Sequence, residues 1–370
     1  MKTGIRHSKT IVLSLLLVVA SSLVYGRNPL NPVGSAAQID LLQQEIQRFY
    51  EIEKKGGWQK ISLAKKQYTK GESAPAIRQL KKRLQASGDY TTKDTSSLYT
   101  SELESAVKKV QRRFGFPENG IVEASLVLAL NVPAAKRRQQ LEINLQRLQT
   151  GMGVTGDKHI VVNIPEYKLH VYEGGTHLFD MAVVVGKEKS PTEVFSEELT
   201  HVVFSPYWNV PPSIVKSEIL PAMRKRKNYL AANGYEITGR ENGLPVIRQK
   251  PGKNNSLGLV KFLFPNQHAI YFHDTPVKSL FKNRIRAYSH GCVRLSEPTK
   301  LAEYLLQNEA SWTPSRIQNA MQAGKEHWVK LTTPVPVSIV YYTAWVDHEG
   351  ELNFRDDIYN KDGAGAVAKR

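Results

Sequence analysis

The stretch Ala287-Tyr288-Ser289-His290-Gly291-Cys292-Val293-Arg294-Leu295 carries the only cysteine of the 370-residue chain. A lone cysteine forms no internal disulfide, and a metal site as a rule needs more than one soft ligand. The sharp reading left is a reactive thiol, whose anion is the nucleophile and whose pKa falls beside cations and hydrogen-bond donors. His290 stands two residues before the sulfur and Arg294 two after it. Gly291 removes a side chain beside it, so a substrate or another strand can come close. A sharp bend here aims the Gly291 and Cys292 amides at a developing oxyanion. The bland alternative is an inert core cysteine among apolar neighbours.

Outward from there, Ala269-Ile270-Tyr271-Phe272 reads as a buried strand that delivers His273 at its end, before the turn at Thr275-Pro276. A rigid strand followed by a polar loop is a good mount for a general base. A cysteine nucleophile needs such a base, and the base needs an orienter. Asp274 and a backbone carbonyl are equal candidates for that orienter. The chemistry these groups suit is acyl transfer through a thioester.

His273, a gap of fifteen residues and then Ser289-His290-Gly291-Cys292 resembles the signature of L,D-transpeptidases with a YkuD-type catalytic domain. The likeness runs on through Val162-Asn163-Ile164-Pro165, Leu169-His170-Val171-Tyr172, Val185-Gly186-Lys187, Pro191-Thr192 and Pro206-Tyr207-Trp208-Asn209-Val210-Pro211-Pro212-Ser213-Ile214. The later segments are similar to the YcbB-like branch. The resemblance implies an α+β multidomain chain: a β-sandwich-like catalytic domain over residues 158–362, with a helical capping element at 213–255. It implies that Cys292 opens a peptidoglycan tetrapeptide stem before its terminal D-Ala and passes the acyl group to another stem's amine, a 3→3 cross-link. An L,D-carboxypeptidase, a transferase that attaches an envelope lipoprotein, and a non-catalytic peptidoglycan-binding envelope protein are the alternatives. Around the pair, Ser289 either braces the bend or bonds His273, and His290 shapes the site or donates to substrate. Arg294 pairs either with a stem carboxylate or with a structural acid. Tyr271, Trp208 and Asn209 are further substrate-binding candidates. No cofactor and no metal is implied, since His159, His170, His177, His201, His268 and His348 show no ligand spacing.

Bulk properties agree with such a partner. The formal charge is +17, without a zinc-finger or RNA-binding motif and with basic residues scattered rather than interleaved with aromatics. An anionic envelope polymer is therefore the partner the charge favours over nucleic acid, and the resemblance implies peptidoglycan stems and glycan strands. Lys2, Arg6 and Lys9, the apolar run Ile11–Ala20, and Val24 with Gly26 read as a signal peptide over residues 1–26. The run is shorter than the roughly twenty residues a spanning helix needs, so an uncleaved leader is the one membrane attachment expected. An unpaired thiol in an exported protein suggests use, because oxidising compartments usually pair cysteines.

Between leader and catalytic segment, residues 27–69 read as a helical linker, with Leu41, Leu42, Ile46, Phe49 and Tyr50 at helical spacing. Residues 70–133 resemble a small three-helix peptidoglycan-binding domain, through Gly71-Glu72-Ser73, Leu80, Leu84, Gly88-Asp89, Ala106-Val107, Gln111 and Leu128-Ala129-Leu130-Asn131. Residues 134–157 read as a connector helix. Within the catalytic segment, 213–227 reads as a helix, 228–253 as a polar loop and 333–345 as an apolar strand or strand pair. Residues 363–370 read as a disordered tail.

Overall fold

The computed structural model describes residues 36–151 and 157–363. The expected leader, and all but the first residue of the expected tail, lie outside them. Among the described residues no helix is long and apolar enough to cross a membrane.

Five helices come first: α1 (Ala36–Lys54), α2 (Pro75–Ala86), α3 (Ser101–Arg113), α4 (Ala124–Leu130) and α5 (Ala134–Thr150). Pro75 opens α2, where its missing N–H costs nothing. The Thr100 hydroxyl caps α3 by accepting from the Leu103 amide at 3.3 Å. Ile77, Leu80 and Leu84 of α2 meet Leu103, Val107 and Val110 of α3 in one core. Residues 36–69, expected as a linker, send Leu42, Phe49 and Ile61 into that same core and pair Tyr68 with Val122.

The β-rich segment's nine-stranded sheet comprises the short strand Ala287–Ser289, parallel to Val185–Gly186, and eight others: β1 (Lys158–Asn163), β2 (Lys168–Glu173), β3 (Thr176–Gly186), β4 (Phe195–Phe204), β5 (Val260–Leu263), β6 (Phe272–His273), β7 (Val293–Leu295) and β8 (His327–Val340). Their ladder runs β3-β7-β6-β5-β4-β8-β1-β2 and returns to β3. Closure is possible because β3 is eleven residues long. Its first part pairs with β2, and Val183 and Val184 pair with β7. Alternate residues point inward, among them Ile160, Val162, Leu169, Val171, Val202, Phe204, Phe262, Phe272, Val293 and Leu295. Leu301, Leu306, Ile317 and Met321, from helices Pro298–Leu306 and Pro314–Gln322, complete this core. The class is α+β with a sandwich-like core, as read from the sequence.

Three local expectations are corrected. Residues 269–271 are not strand: Ala269 is left-handed at φ +53°. The Asn266 carboxamide oxygen accepts from the His268 and Ile270 amides and winds the chain into a turn. His273 still closes its strand before the Thr275-Pro276 turn, but that strand is only Phe272–His273 rather than a run from Ala269. Residues 228–253 are not a loop. Strands Tyr235–Glu241 and Leu244–Gln249 form a hairpin joined to Trp208–Asn209. Its turn is Asn242-Gly243, with φ of +49° and +77°, the signs a type I′ turn requires. The inserted element is thus half helical and half hairpin. Finally, β8 begins at His327, and Ala344–Val346 pairs instead with Leu352–Phe354, a small hairpin whose Trp345, Leu352 and Phe354 enter the helical core.

Candidate active site

Strands β6 and β7 run parallel, with Phe272 opposite Val293 and His273 opposite Arg294. Phe272, Val293 and Leu295 face the core. Alternation then places Tyr271, His273, Cys292 and Arg294 together on the outward face, Cys292 one step before β7. The residues read from two distant stretches are diagonal neighbours here.

Cys292 is half-buried. Its thiol donates toward the Ala269 carbonyl at 3.7 Å. Its sulfur accepts from the Tyr271 amide and hydroxyl. Burial nonetheless pushes the thiol pKa up, against those donors and the positive field of Arg294. The Tyr271 hydroxyl also bonds Trp208, and burial beside Cys292 holds it protonated.

His273 is fully inside the wall, and burial, with Arg294 and Lys278 nearby, lowers its pKa to about 3. Its Nδ1–H donates to the Asp274 backbone oxygen at 2.5 Å, which leaves Nε2 as the proton acceptor. The Asp274 carboxylate is engaged elsewhere, with Lys278 Nζ at 2.6 Å and the Leu259 amide at 2.9 Å. Of the two orienters expected, the carbonyl holds the ring, and Asp274 holds the loop. A side chain at Gly258 would collide with that carboxylate, its Cβ falling 2.3 Å from Oδ2.

The bend before Cys292 is braced. Ser289 Oγ donates to the Cys292 carbonyl at 2.6 Å and accepts from the Gly291 amide at 3.1 Å. Gly291 stands at φ +117°, which a side chain resists. The Gly291 amide is therefore occupied by Ser289 and is not free for an oxyanion, contrary to the sequence reading. The Thr192 hydroxyl donates to the Gly291 carbonyl at 2.7 Å and accepts from the Gly186 amide at 2.9 Å. Tyr359 donates to the Gly186 carbonyl at 2.5 Å. The bracing by Thr192 and Tyr359 escaped the sequence reading, because nothing local marks a contact made across 99 and 173 residues.

Arg294 makes no ion pair among the described residues, and its Nε is buried without a partner. Burial lowers its pKa. His290 is exposed and turned to the inserted element, with Glu218 Oε1 at 3.1 Å and Lys187 Nζ at 3.3 Å. Asn209 lies exposed on the hairpin sheet, paired with Arg248. Glu218 sits in a wide π-helical segment, Val215–Ile219, between Pro212–Ile214 and Leu220–Lys225. Pro221 stands two residues past its end, and its missing N–H and ring bulk explain the widening. Val210, Ile214, Val215, Ile219 and Ile247 give this element its own small core.

A half-buried thiol, a neutral imidazole with a free Nε2 and a guanidinium without an ion pair thus share one strand face. Residues 157–337 match the family model "L,D-transpeptidase catalytic domain", and residues 73–130 match "Putative peptidoglycan binding domain". The chain thus carries a YkuD-type L,D-transpeptidase catalytic domain preceded by a domain of the peptidoglycan-binding type. It is 34% identical over 256 residues to a curated protein of Haemophilus influenzae named "Putative L,D-transpeptidase", covering 64% of this chain and 51% of that protein. The chain therefore spans about half the length of this relative. Among solved structures, an L,D-transpeptidase from Mycobacterium smegmatis aligns at 15% identity over 51% of this chain and 59% of that one, TM-score 0.28. An L,D-transpeptidase from Stackebrandtia nassauensis aligns at 15% identity over 74% and 94%, TM-score 0.29. Both are likenesses too slight to add to the family match.

Proposed function

We propose that this protein is an L,D-transpeptidase of the cell envelope that opens a peptidoglycan tetrapeptide stem through a Cys292 thioester and passes it to an amine, forming 3→3 cross-links. The parallel pairing of β6 with β7 supports this most directly, since it puts His273 and Cys292 on one face with Arg294 beside both. In the resting site the thiol points at Ala269. A turn about its Cα–Cβ bond swings the S–H toward His273 Nε2. The imidazole takes that proton as sulfur bonds to the donor carbonyl carbon. The tetrahedral oxyanion meets the Cys292 amide and the Tyr271 hydroxyl, the donors left once Ser289 has taken the Gly291 amide. The C–N bond to D-Ala breaks, and the imidazolium gives its proton to the leaving amine. An acceptor amine then attacks the thioester and loses a proton to His273. The C–S bond breaks, and that proton returns to sulfur. Arg294 binds a stem carboxylate, an anion it otherwise lacks.

The inserted element at 213–255 acts as a lid. Glu218 on His290 brings it to the bend, and Trp208 on Tyr271 brings its base to the thiol. A cover over the thioester excludes water and favours aminolysis over hydrolysis. The test incubates the protein with tetrapeptide muropeptides and weighs the products. Cross-linked dimer is expected, with none from Cys292→Ala. Tripeptide monomer alone makes it a carboxypeptidase, and full turnover by the alanine variant overturns the nucleophile. A carbapenem should likewise leave one adduct, on Cys292 and not on the alanine variant.

A further inference from the structure

On the side of the ring that faces the helical domain, β2 and β3 bring together three residues that the sequence leaves ten positions apart: His170, His177 and Asp180. His170 and Asp180 are opposite one another across the β2–β3 pair. His177 would face the other way by simple alternation. A register shift follows Val171, so that Tyr172 pairs with His177 and Leu178 is the extra residue. Such a bulge reverses the facing of every residue beyond it, and bulges commonly re-aim a side chain for use. Leu178 is left exposed, an apolar side chain displaced to bring an imidazole round.

The result has ligand geometry. His170 Nδ1 lies 3.3 Å from His177 Nε2. That is long for a hydrogen bond between rings. It is the separation expected of two nitrogens on one tetrahedral zinc, ~3.4 Å for bonds of about 2.0–2.1 Å. One carboxylate oxygen of Asp180 completes a set of three atoms all within 4.8 Å of one another. Its Oδ1 also meets Lys168 Nζ at 3.1 Å, an ion pair that a bound cation would share or displace. The other nitrogen of His170 bonds the buried Glu166 carboxylate at 3.0 Å. Carboxylate–imidazole–metal chains of this kind fix the ring and its tautomer in metal sites. His348 stacks on His177 with ring centroids 4.1 Å apart and closes the far side. The absence of ligand spacing among the histidines was a property of the linear order alone.

We propose that His170, His177 and Asp180 bind a divalent cation of the zinc class, oriented by Glu166 and with one coordination position open to the groove beside the helical domain. Three protein ligands of two nitrogens and one oxygen suit zinc, and oxygen-preferring magnesium or calcium suits them poorly. All three ligands belong to one hairpin, so the bound ion pins β2 to β3 at the bulge.

The test uses tag-free full chain in the Cys292→Ala background, which removes the one thiol that would compete. Equilibrium dialysis against zinc chloride, with metal counted by mass spectrometry, should give one equivalent and a raised melting temperature. His177→Gln and Asp180→Asn should each weaken binding about tenfold or more and lose the rise, with apo melting and circular dichroism unchanged. In the presence of Cys292, both variants should keep carbapenem acylation. If either variant fails to fold, the other decides. No saturable zinc, or zinc retained by both variants, reduces the trio to an ordinary imidazole hydrogen bond and overturns the site.

Discussion

His273 keeps its imidazole neutral down to about pH 3 because the ring wall buries it, while in an unfolded chain it charges near 6.5. Between those values the unfolded chain binds the extra proton. Stability therefore rises with pH across the window and is lost as pH falls through it. From pH 6.5 to 4.5 this one residue should cost about 2–3 kcal/mol, and His273→Gln should flatten that part of the melting curve. Catalysis follows the same sign: with Nε2 free well below neutrality, β-lactam acylation of Cys292 should show no acid limb near 6.5. A limb centred there means a solvated base, and the assignment to His273 fails. Arg294 makes the opposite kind of prediction. A half-buried guanidinium without an acid, its Nε buried and unpartnered, costs stability while it waits for an anion. Arg294→Gln should leave the melting temperature equal or higher, yet lower kcat/KM for a carboxylate-bearing stem about 10–100-fold, the worth of a charge-assisted bond of about 1.5–3 kcal/mol. A fall in both would make Arg294 a structural residue.

At the scale of the element, the bend Ser289–Cys292 is stiff because one hydroxyl closes it twice. Ser289→Ala leaves the Gly291 amide and the Cys292 carbonyl short of a partner and should cost about 1–3 kcal/mol. Its acylation rate should fall further than its stability explains, since the sulfur loses its aim. Ser289→Thr, which keeps the hydroxyl, should recover much of the rate. This bend was legible in the sequence because its chemistry is local: Ser, Gly and Cys sit within four residues. The approach to His273 was not, since an apolar run looks like strand until Asn266 folds it back, and periodicity does not register a carboxamide. The hairpin at 235–249 did announce itself in Asn242-Gly243, but its flanks Glu241, Arg240 and Glu236 are polar and carry no alternation. It is held by β-pairing to Trp208–Asn209 and by Asn255, whose amide donates to the Pro206 carbonyl at 3.0 Å.

Over the whole molecule, the sequence divides into a helical and a β-rich part, but the boundary is crossed by the last strands of the described residues. Phe354 packs between Phe114 and Phe49, with ring centroids 5.3 Å and 5.9 Å away, and Arg137 lies over its ring at 4.6 Å. Arg355 then donates to the Arg113 carbonyl at 2.7 Å, and Arg113 returns a bond to the Leu352 carbonyl at 2.5 Å. On the other side, Val161 and Tyr172, from the outward face of β1 and β2, enter the same helical core. Such a seam holds the helical domain at a fixed orientation to the thiol, so a glycan strand gripped by one part would present its stems to the other at a set distance. Phe354→Ala removes the ring from the centre of that seam. It should destabilise by about 3–5 kcal/mol and split one melting transition into two. The ring domain should persist, because its main core is a cluster separate from the one that holds Phe354. In that variant carbapenem acylation, whose groups from Tyr271 to Cys292 all lie in the ring domain, should survive at a temperature between the two transitions, while cross-linking of intact sacculi falls. Equal loss of both would show that the seam shapes the catalytic face itself rather than presenting substrate to it.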